Sequence, residues 1–278
     1  MRSVSQAAAQ LRRTPAAMLG AAVAAGQEIA WLTAHAATYP IGLLAEQAEM
    51  EDPRYRIDTL PPVSRGLITG DINASGRPIL LVHGIGDNRS AFSILRRTLR
   101  RKGYGRITTV NYSPFTSDIR KAAANLARHV ERVCQQTGYE QVFVVGHSLG
   151  GIIARYYVQC HGGDERVHTL ITLGSPHAGT QLARLAPIPV CQQLRPNSDL
   201  MRELASPADC RTRFVAIYSD RDEVVLPNRS ATLQHPDLSV TRVPVHGVGH
   251  LALLVNSAVV HAVAAALADR LTGDEPAA

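Results

Sequence analysis

Between residues 79 and 271 the chain alternates short apolar runs with longer stretches in which apolar positions recur at helical spacing, the signature of strands interleaved with helices. Turn formers from Asn73 to Gly76, after Pro61, Pro62 and Gly70, lead into Ile79 to Val82, an apolar run of strand length. A helix over Ser90 to Lys102 and a strand over Ile107 to Tyr112 follow. Asp118 to Thr137 has helical periodicity, with Ser117 placed to cap its start and Gly138 just past its end. Then come strand Gln141 to Val145, helix Leu149 to Cys160, strand Val167 to Leu173, strand Phe214 to Tyr218, strand Ser239 to Val245 and helix Leu251 to Leu271. Strands that are apolar throughout are buried on both faces. The order therefore predicts an α/β fold, a mostly parallel sheet with helices on both faces.

The first sixty residues break this rhythm. Between Arg13 and Glu46 the only formally charged side chain is Glu28, and Ala, Leu, Val, Ile and Gly dominate. Such a stretch is long enough to span a bilayer. Arg2, Arg12 and Arg13 precede it, and Glu46, Glu49, Glu51 and Asp52 follow, an asymmetry that would leave the N-terminus cytoplasmic and the remainder on the far side. Because Gln27, Glu28, Thr33, His35 and Pro40 interrupt the run, helices packed on the domain or lying on a membrane surface compete with an anchor. A signal peptide with Ala16 to Gly26 as its apolar part is the third reading. The expected division is an N-terminal apolar helical segment, 1–60, and a larger domain, 61–278, placed in the cell envelope, membrane-associated or secreted, with a cytoplasmic location as the alternative.

Composition narrows the function classes. A chain of 278 residues can bury a substantial core without disulfide or metal staples. With 45% hydrophobic and 19% charged residues it is neither disordered nor fibrous. A net charge of +6 is modest, and its densest basic group, Arg96, Arg97, Arg100, Arg101 and Lys102, falls on a predicted helix end and reads as a solvated face. No nucleic-acid partner is expected. Arg2, Arg12 and Arg13 stand ahead of the apolar leader, where they would meet anionic lipid. The four cysteines, at 134, 160, 191 and 210, lack zinc spacing, and no Walker loop, dinucleotide fingerprint or HExxH is present. No organic cofactor or catalytic metal is implied, and the scattered carboxylates leave a structural calcium ion open.

The chemical signal lies at one strand-to-helix joint. Gly146, His147, Ser148, Leu149 and Gly150 spell G-x-S-x-G between an apolar strand and a helix, the context in which such a serine sits on a strained turn with its hydroxyl exposed. A serine needs a base and an orienting carboxylate to act as a nucleophile. Where this motif supplies the nucleophile, the partners follow in the order serine, acid, histidine. Asp222, after the strand ending at Tyr218, is the favoured acid over Asp220, whose other role is a turn cap or surface partner of Arg221. His250, just before the last helix, is favoured as base over His246, which reads as a histidine satisfied by loop backbone. His83, His147 and His177 stand beside glycine-rich turns and are expected to bond backbone. A developing oxyanion would need two donors. The N–H of Leu149 is one, and the N–H of Ile85, in the loop His83 to Asp87, is the other, with Gly84 or Gly86 as alternatives.

Taken together, HGIGDN, VVGHSLGG, TLGSPHAGT, YSDRDEVV and HGVGH make residues 75 to 272 resemble the α/β-hydrolase bacterial lipases and esterases, most closely the Bacillus lipase A type and its actinobacterial relatives. The resemblance implies an α/β-hydrolase fold and hydrolysis of carboxylic esters through an acyl-enzyme, with Ser148 as nucleophile, His250 as base and Asp222 orienting it. Two departures stand out: the apolar leader, and the insertion Pro176 to Arg211, which offers a lid. That insertion carries Cys191 and Cys210, whose pairing is expected from their shared irregular segment and would contribute about 3 kcal/mol. Cys134 and Cys160 are expected as reduced core residues. Ile85, Phe115, Leu149, Leu182 and Leu251 provide an apolar neighbourhood suited to an acyl chain. Transfer of the acyl group to another alcohol, and a silent binding protein on the same fold, are the alternatives.

Overall fold

A computed structural model describes residues 76–271 apart from 86, 88, 111 and 113–116. The apolar segment 1–60, with the anchor expected of it, and Phe115 lie outside the described residues. Six parallel strands form one sheet in the order β2-β1-β3-β4-β5-β6: β1 (Ile79–Val82), β2 (Ile107–Val110), β3 (Val142–His147), β4 (Val167–Leu173), β5 (Arg213–Ser219) and β6 (Val240–Val245). The helices are α1 (Ser93–Arg101), α2 (Ile119–Thr137), α3 (Leu149–Cys160), α4 (Pro189–Gln193), α5 (Asp199–Leu204) and α6 (Ser257–Leu267).

The continuous apolar strands are explained by two separate cores. Leu80, Val82, Val144, Leu170 and Phe214 point to the face covered by α2 and α3. Their neighbours Ile79, Leu81, Val145, Ile171 and Val215 point to the face covered by α1 and α6. Successive residues of one strand thus leave water in opposite directions, each such side chain contributing roughly 1.5–3 kcal/mol. On α1, Arg97 and Arg101 are exposed, as expected of a solvated basic face, but Arg96 is buried in the inward stripe with Leu95 and Leu99, which corrects the expectation for that one residue.

Several boundaries move for identifiable reasons. Asp118, not Ser117, caps α2, its carboxylate accepting from Arg120 N–H at 2.9 Å. The last predicted helix is two pieces, a 3-10 turn Leu251–Leu254 and then α6, because the Asn256 side chain accepts from Ala258 and Val259 N–H and starts a new helix there. β3 runs two residues further than predicted and delivers His147 into the sheet, paired with Leu173.

The insertion 176–211 folds into α4 and α5 and contributes Val190, Leu194, Leu200, Met201 and Leu204 to the α2/α3 core. Its anchor is Arg155 of α3, which is buried and donates to the carbonyls of His177 at 2.9 Å and Leu204 at 2.7 Å, and from Nε to Gln159 at 2.5 Å. Burial lowers its pKa to about 10. A salt link from Arg120 to Glu203, which also accepts from Tyr156 OH at 2.9 Å, adds a second tie. The expected Cys191–Cys210 bridge is absent, and both are free thiols. Cys191 belongs to α4, whereas Cys210 Sγ turns to Asp164 Oδ1 at 3.1 Å, where the N–H groups of Arg211 and Thr212 also donate. Cys134 is buried as expected, but Cys160, on the last residue of α3, is exposed.

Arg155→Met should leave the His177 carbonyl unpaired and the Leu204 carbonyl with only its 3.4 Å bond from the Gln159 amide, and destabilise the protein by roughly 2–4 kcal/mol. Urea unfolding would measure this, and limited proteolysis should cut first within 176–211; an unchanged midpoint contradicts the anchoring role.

Candidate active site

Strand order determines where chemistry can collect. From β1 the chain goes outward to β2 and then returns to β3 on the other side of β1, so the strand order reverses at the C-terminal ends of β1 and β3, the switch point where sites of such sheets gather. Val82 pairs with Gly146, which sets His83 and Gly84 beside His147 and Ser148. A Cβ on Gly84 would lie 3.2 Å from Ser148 Cβ.

Ser148 stands at φ 53° and ψ −122°, a region that costs a non-glycine residue on the order of 1–3 kcal/mol. The turn is tight enough to need its glycines: a Cβ on Gly146 would sit 2.5 Å from Gly151 Cα, and one on Gly150 2.1 Å from the Val82 carbonyl oxygen. Ser148 N–H donates to Leu173 O at 2.9 Å. Although Ser148 occupies the N-cap of α3, its hydroxyl makes no capping bond, so Oγ is not committed to the helix end where serine usually serves.

Opposite it, His250 Nδ1 lies 2.8 Å from Asp222 Oδ2, and both residues are buried. Asp222 Oδ1 accepts from Val224 N–H at 2.9 Å and Val225 N–H at 2.8 Å. Burial pushes this carboxyl up, but His250 and the two N–H groups outweigh it and hold the group below the ordinary carboxylate range. The tip of β4 joins the two halves. Leu173 receives Ser148 N–H, and a Cβ on the next residue, Gly174, would meet Asp222 Oδ2 at 2.9 Å and His250 Nδ1 at 3.3 Å.

The competing pair has its own place. Ser219 and Val245 are register partners at the ends of β5 and β6, so the residues that follow face each other: Asp220 Oδ2 is 3.0 Å from His246 Nδ1, exposed to water. His246 is thus held by a carboxylate rather than by backbone as expected, and Asp220 accepts from Gly247 N–H at 2.8 Å while the Arg221 charge also acts on its carboxyl. Of the three histidines beside glycine-rich turns, His83 Nδ1 bonds Gly84 O at 2.9 Å and His147 Nε2 bonds the His250 carbonyl at 3.2 Å, both backbone groups. His177 instead bonds Thr172 Oγ1 at 2.9 Å. Burial keeps all three below the ordinary histidine range, His147 at about 3.

Two residues escaped sequence reasoning. Tyr112 stacks on His83 with centroids 4.2 Å apart, and its OH donates to the carbonyls of His83 at 2.5 Å and Gly84 at 3.1 Å, fixing the loop that carries Ile85. Asp87 is buried 3.8 Å from His147 Nδ1. Neither has a spacing signal, because both act across strands. Among the described residues no group of three His, Cys, Asp or Glu is placed to hold a metal, and no helix is long and apolar enough to cross a membrane. An uncommitted serine beside a buried histidine–carboxylate pair is an arrangement able to perform nucleophilic acyl chemistry.

Residues 77–197 match the family model described as the alpha/beta hydrolase fold. The chain is 30% identical over 129 residues to a triacylglycerol lipase of Burkholderia plantarii, covering 43% of this chain and 35% of that protein, and 30% identical over 118 residues to one of Pseudarthrobacter phenanthrenivorans, covering 40% and 36%. It thus spans about a third of the length of the curated relatives it matches. The mature Bacillus licheniformis lipase BlEst2 superposes with a TM-score of 0.59 at 19% identity, covering 69% of this chain and 91% of that one. This chain has the α/β-hydrolase fold and is similar in sequence to bacterial lipases.

Because Asp222 titrates below its unfolded value, it stabilises the fold above the ordinary carboxylate pKa, and that contribution fades as pH falls through the depressed folded value. Thermal unfolding should show wild type losing stability relative to Asp222→Asn between about pH 5 and pH 3; a constant or opposite difference would contradict the depressed carboxylate.

Proposed function

We propose that this protein is a serine carboxylic-ester hydrolase acting on acyl or lipid esters. Ser148 Oγ attacks the ester carbonyl carbon while His250 Nε2 takes its proton, and Asp222 keeps the imidazole oriented through Nδ1. The N–H groups of Leu149 and Ile85 donate to the oxyanion. Collapse expels the alcohol, which receives the proton from His250 and leaves an acyl-serine. Water, deprotonated by His250, then releases the acid and restores Ser148. The buried Asp222–His250 pair at 2.8 Å, beside a serine on a strained turn, carries this reading. The similarity to triacylglycerol lipases supports the substrate class.

The surface at this end of the sheet supports an apolar substrate as well. Six large hydrophobic residues are markedly exposed among the described residues, and five of them, Ile85, Leu182, Leu185, Ile188 and Leu226, stand on connections after β1, β4 and β5, at the edge that carries Ser148. Leu185 is the extreme, at 79% exposure. Arg184 and Arg229 are exposed on the same connections, and the chain carries +6. A clustered apolar rim with basic neighbours suits an anionic lipid surface, so we place the working protein at a membrane of the cell envelope.

Ser148→Ala should lower kcat on p-nitrophenyl esters by at least about 10⁴-fold and abolish labelling by a fluorophosphonate; undiminished turnover would sink the mechanism. A double change, Leu185→Ser with Ile188→Ser, should slow hydrolysis of a triacylglycerol emulsion severalfold more than hydrolysis of a soluble short-chain ester. Equal effects on both substrates would contradict the role of the rim.

A further inference from the structure

In the sheet, β4 and β5 separate β3 from β6, and at about 4.8 Å per strand the two stand roughly 14 Å apart. A base that follows β6 does not reach a nucleophile at the end of β3 by strand position. The loop 246–250 has to cross the strand tips and be held there. One hydrogen bond ties it to the nucleophile's own turn: His147 Nε2 lies 3.2 Å from the carbonyl oxygen of His250, with the two rings 4.8 Å apart and tilted by 44°.

That bond dictates a tautomer. A carbonyl only accepts, so Nε2 carries the proton and, in a neutral ring, Nδ1 is left as a bare acceptor. Nδ1 is buried and has no hydrogen-bond partner among the described residues. Orphaned buried nitrogens are rare and call for a reason. Turning the proton to Nδ1 would aim a donor towards Asp87 Oδ2, 3.8 Å away, but would break the bond to His250. The charged or titratable groups around the ring are Asp87 from the loop after β1, His83, Asp222 and His250. With burial dominant the ring is neutral across the working pH range, so it adds no positive charge beside the base.

We propose that His147 is a positioning residue for the ester hydrolysis inferred above: its Nε2–H holds the His250 backbone, so the residue before the nucleophile places the residue that supplies the base. Nucleophile and base are then joined by a peptide bond and one hydrogen bond, independently of the intervening strands. This rests on the hydrolase reading, and its orphaned Nδ1 is the counterpart of a proton kept on the other nitrogen.

Two variants separate a positioning role from a packing role. His147→Leu removes the donor at similar bulk and should lower kcat on a soluble p-nitrophenyl ester roughly 10- to 100-fold, with KM changed by less than about twofold. His147→Gln, whose amide N–H extends to the position of Nε2, should restore most of that loss. Wild-type kcat in the leucine variant overturns the proposal, and so does an equal loss in both variants while circular dichroism and Tm are retained. If the leucine variant does not fold, 15N NMR of wild-type protein decides: a His147 protonated on Nε2 supports the proposal, and one protonated on Nδ1 overturns it. Wild-type protein that neither hydrolyses esters nor takes up fluorophosphonate fails the hydrolase reading instead, and the NMR measurement still tests the bond.

Discussion

The reactive edge depends on one steric constraint, the passage of β3 into α3 against the end of β1. Gly150 approaches the Val82 carbonyl and Gly146 approaches Gly151 so closely that no Cβ fits at either position. This closeness forces Ser148 into positive φ and keeps its hydroxyl off the helix end. It also sets the loop after β1 beside the serine, because Val82 and Gly146 are register partners. Backbone strain, the donor geometry at the start of α3 and the place of the His83–Asp87 loop are three consequences of the same tight turn.

Around that turn the sheet collects side chains from distant parts of the sequence. β4 ends against the serine and the histidine–aspartate pair at once, β5 releases Asp222 into two backbone N–H groups, and β6 releases His250. The insertion 176–211 closes the α2/α3 core and is held by a guanidinium whose bonds go to carbonyls and an amide rather than to a carboxylate. A buried cation satisfied by neutral groups makes the anchor directional, since carbonyls accept only along defined lines. The loops at the edge therefore rest on firm supports even where their apolar side chains face water.

Much of this was legible in the sequence. The strands announce themselves because both faces are buried and the runs are apolar without alternation, and G-x-S-x-G is readable because close packing admits only glycine around the serine. That Asp222 and His250 stand in the right order after the serine is visible in the chain, but that they pair with each other in the interior while Asp220 and His246 pair at the surface is a matter of tertiary placement. Other features left no such mark. Helices α4 and α5 are one or two turns long in a proline-containing stretch, too short for periodicity. The division at Asn256 is a capping effect inside an apolar run that reads equally well as one helix. Arg96 and Arg155 look like surface residues by type, and only tertiary contacts reveal them as interior. Free Cys191 and Cys210 show that sharing a loop is a weak guide to pairing when a carboxylate such as Asp164 offers one thiol another partner.

The ends of β5 and β6 carry two aspartate–histidine pairs of the same chemistry, formed by the same register, a few residues apart. One is exposed at 3.0 Å and the other is enclosed at 2.8 Å. The molecule thus contains its own reference compound. Asp220–His246 samples what such a pair does in contact with solvent, and any difference in the behaviour of Asp222–His250 is attributable to enclosure and to the groups that surround it.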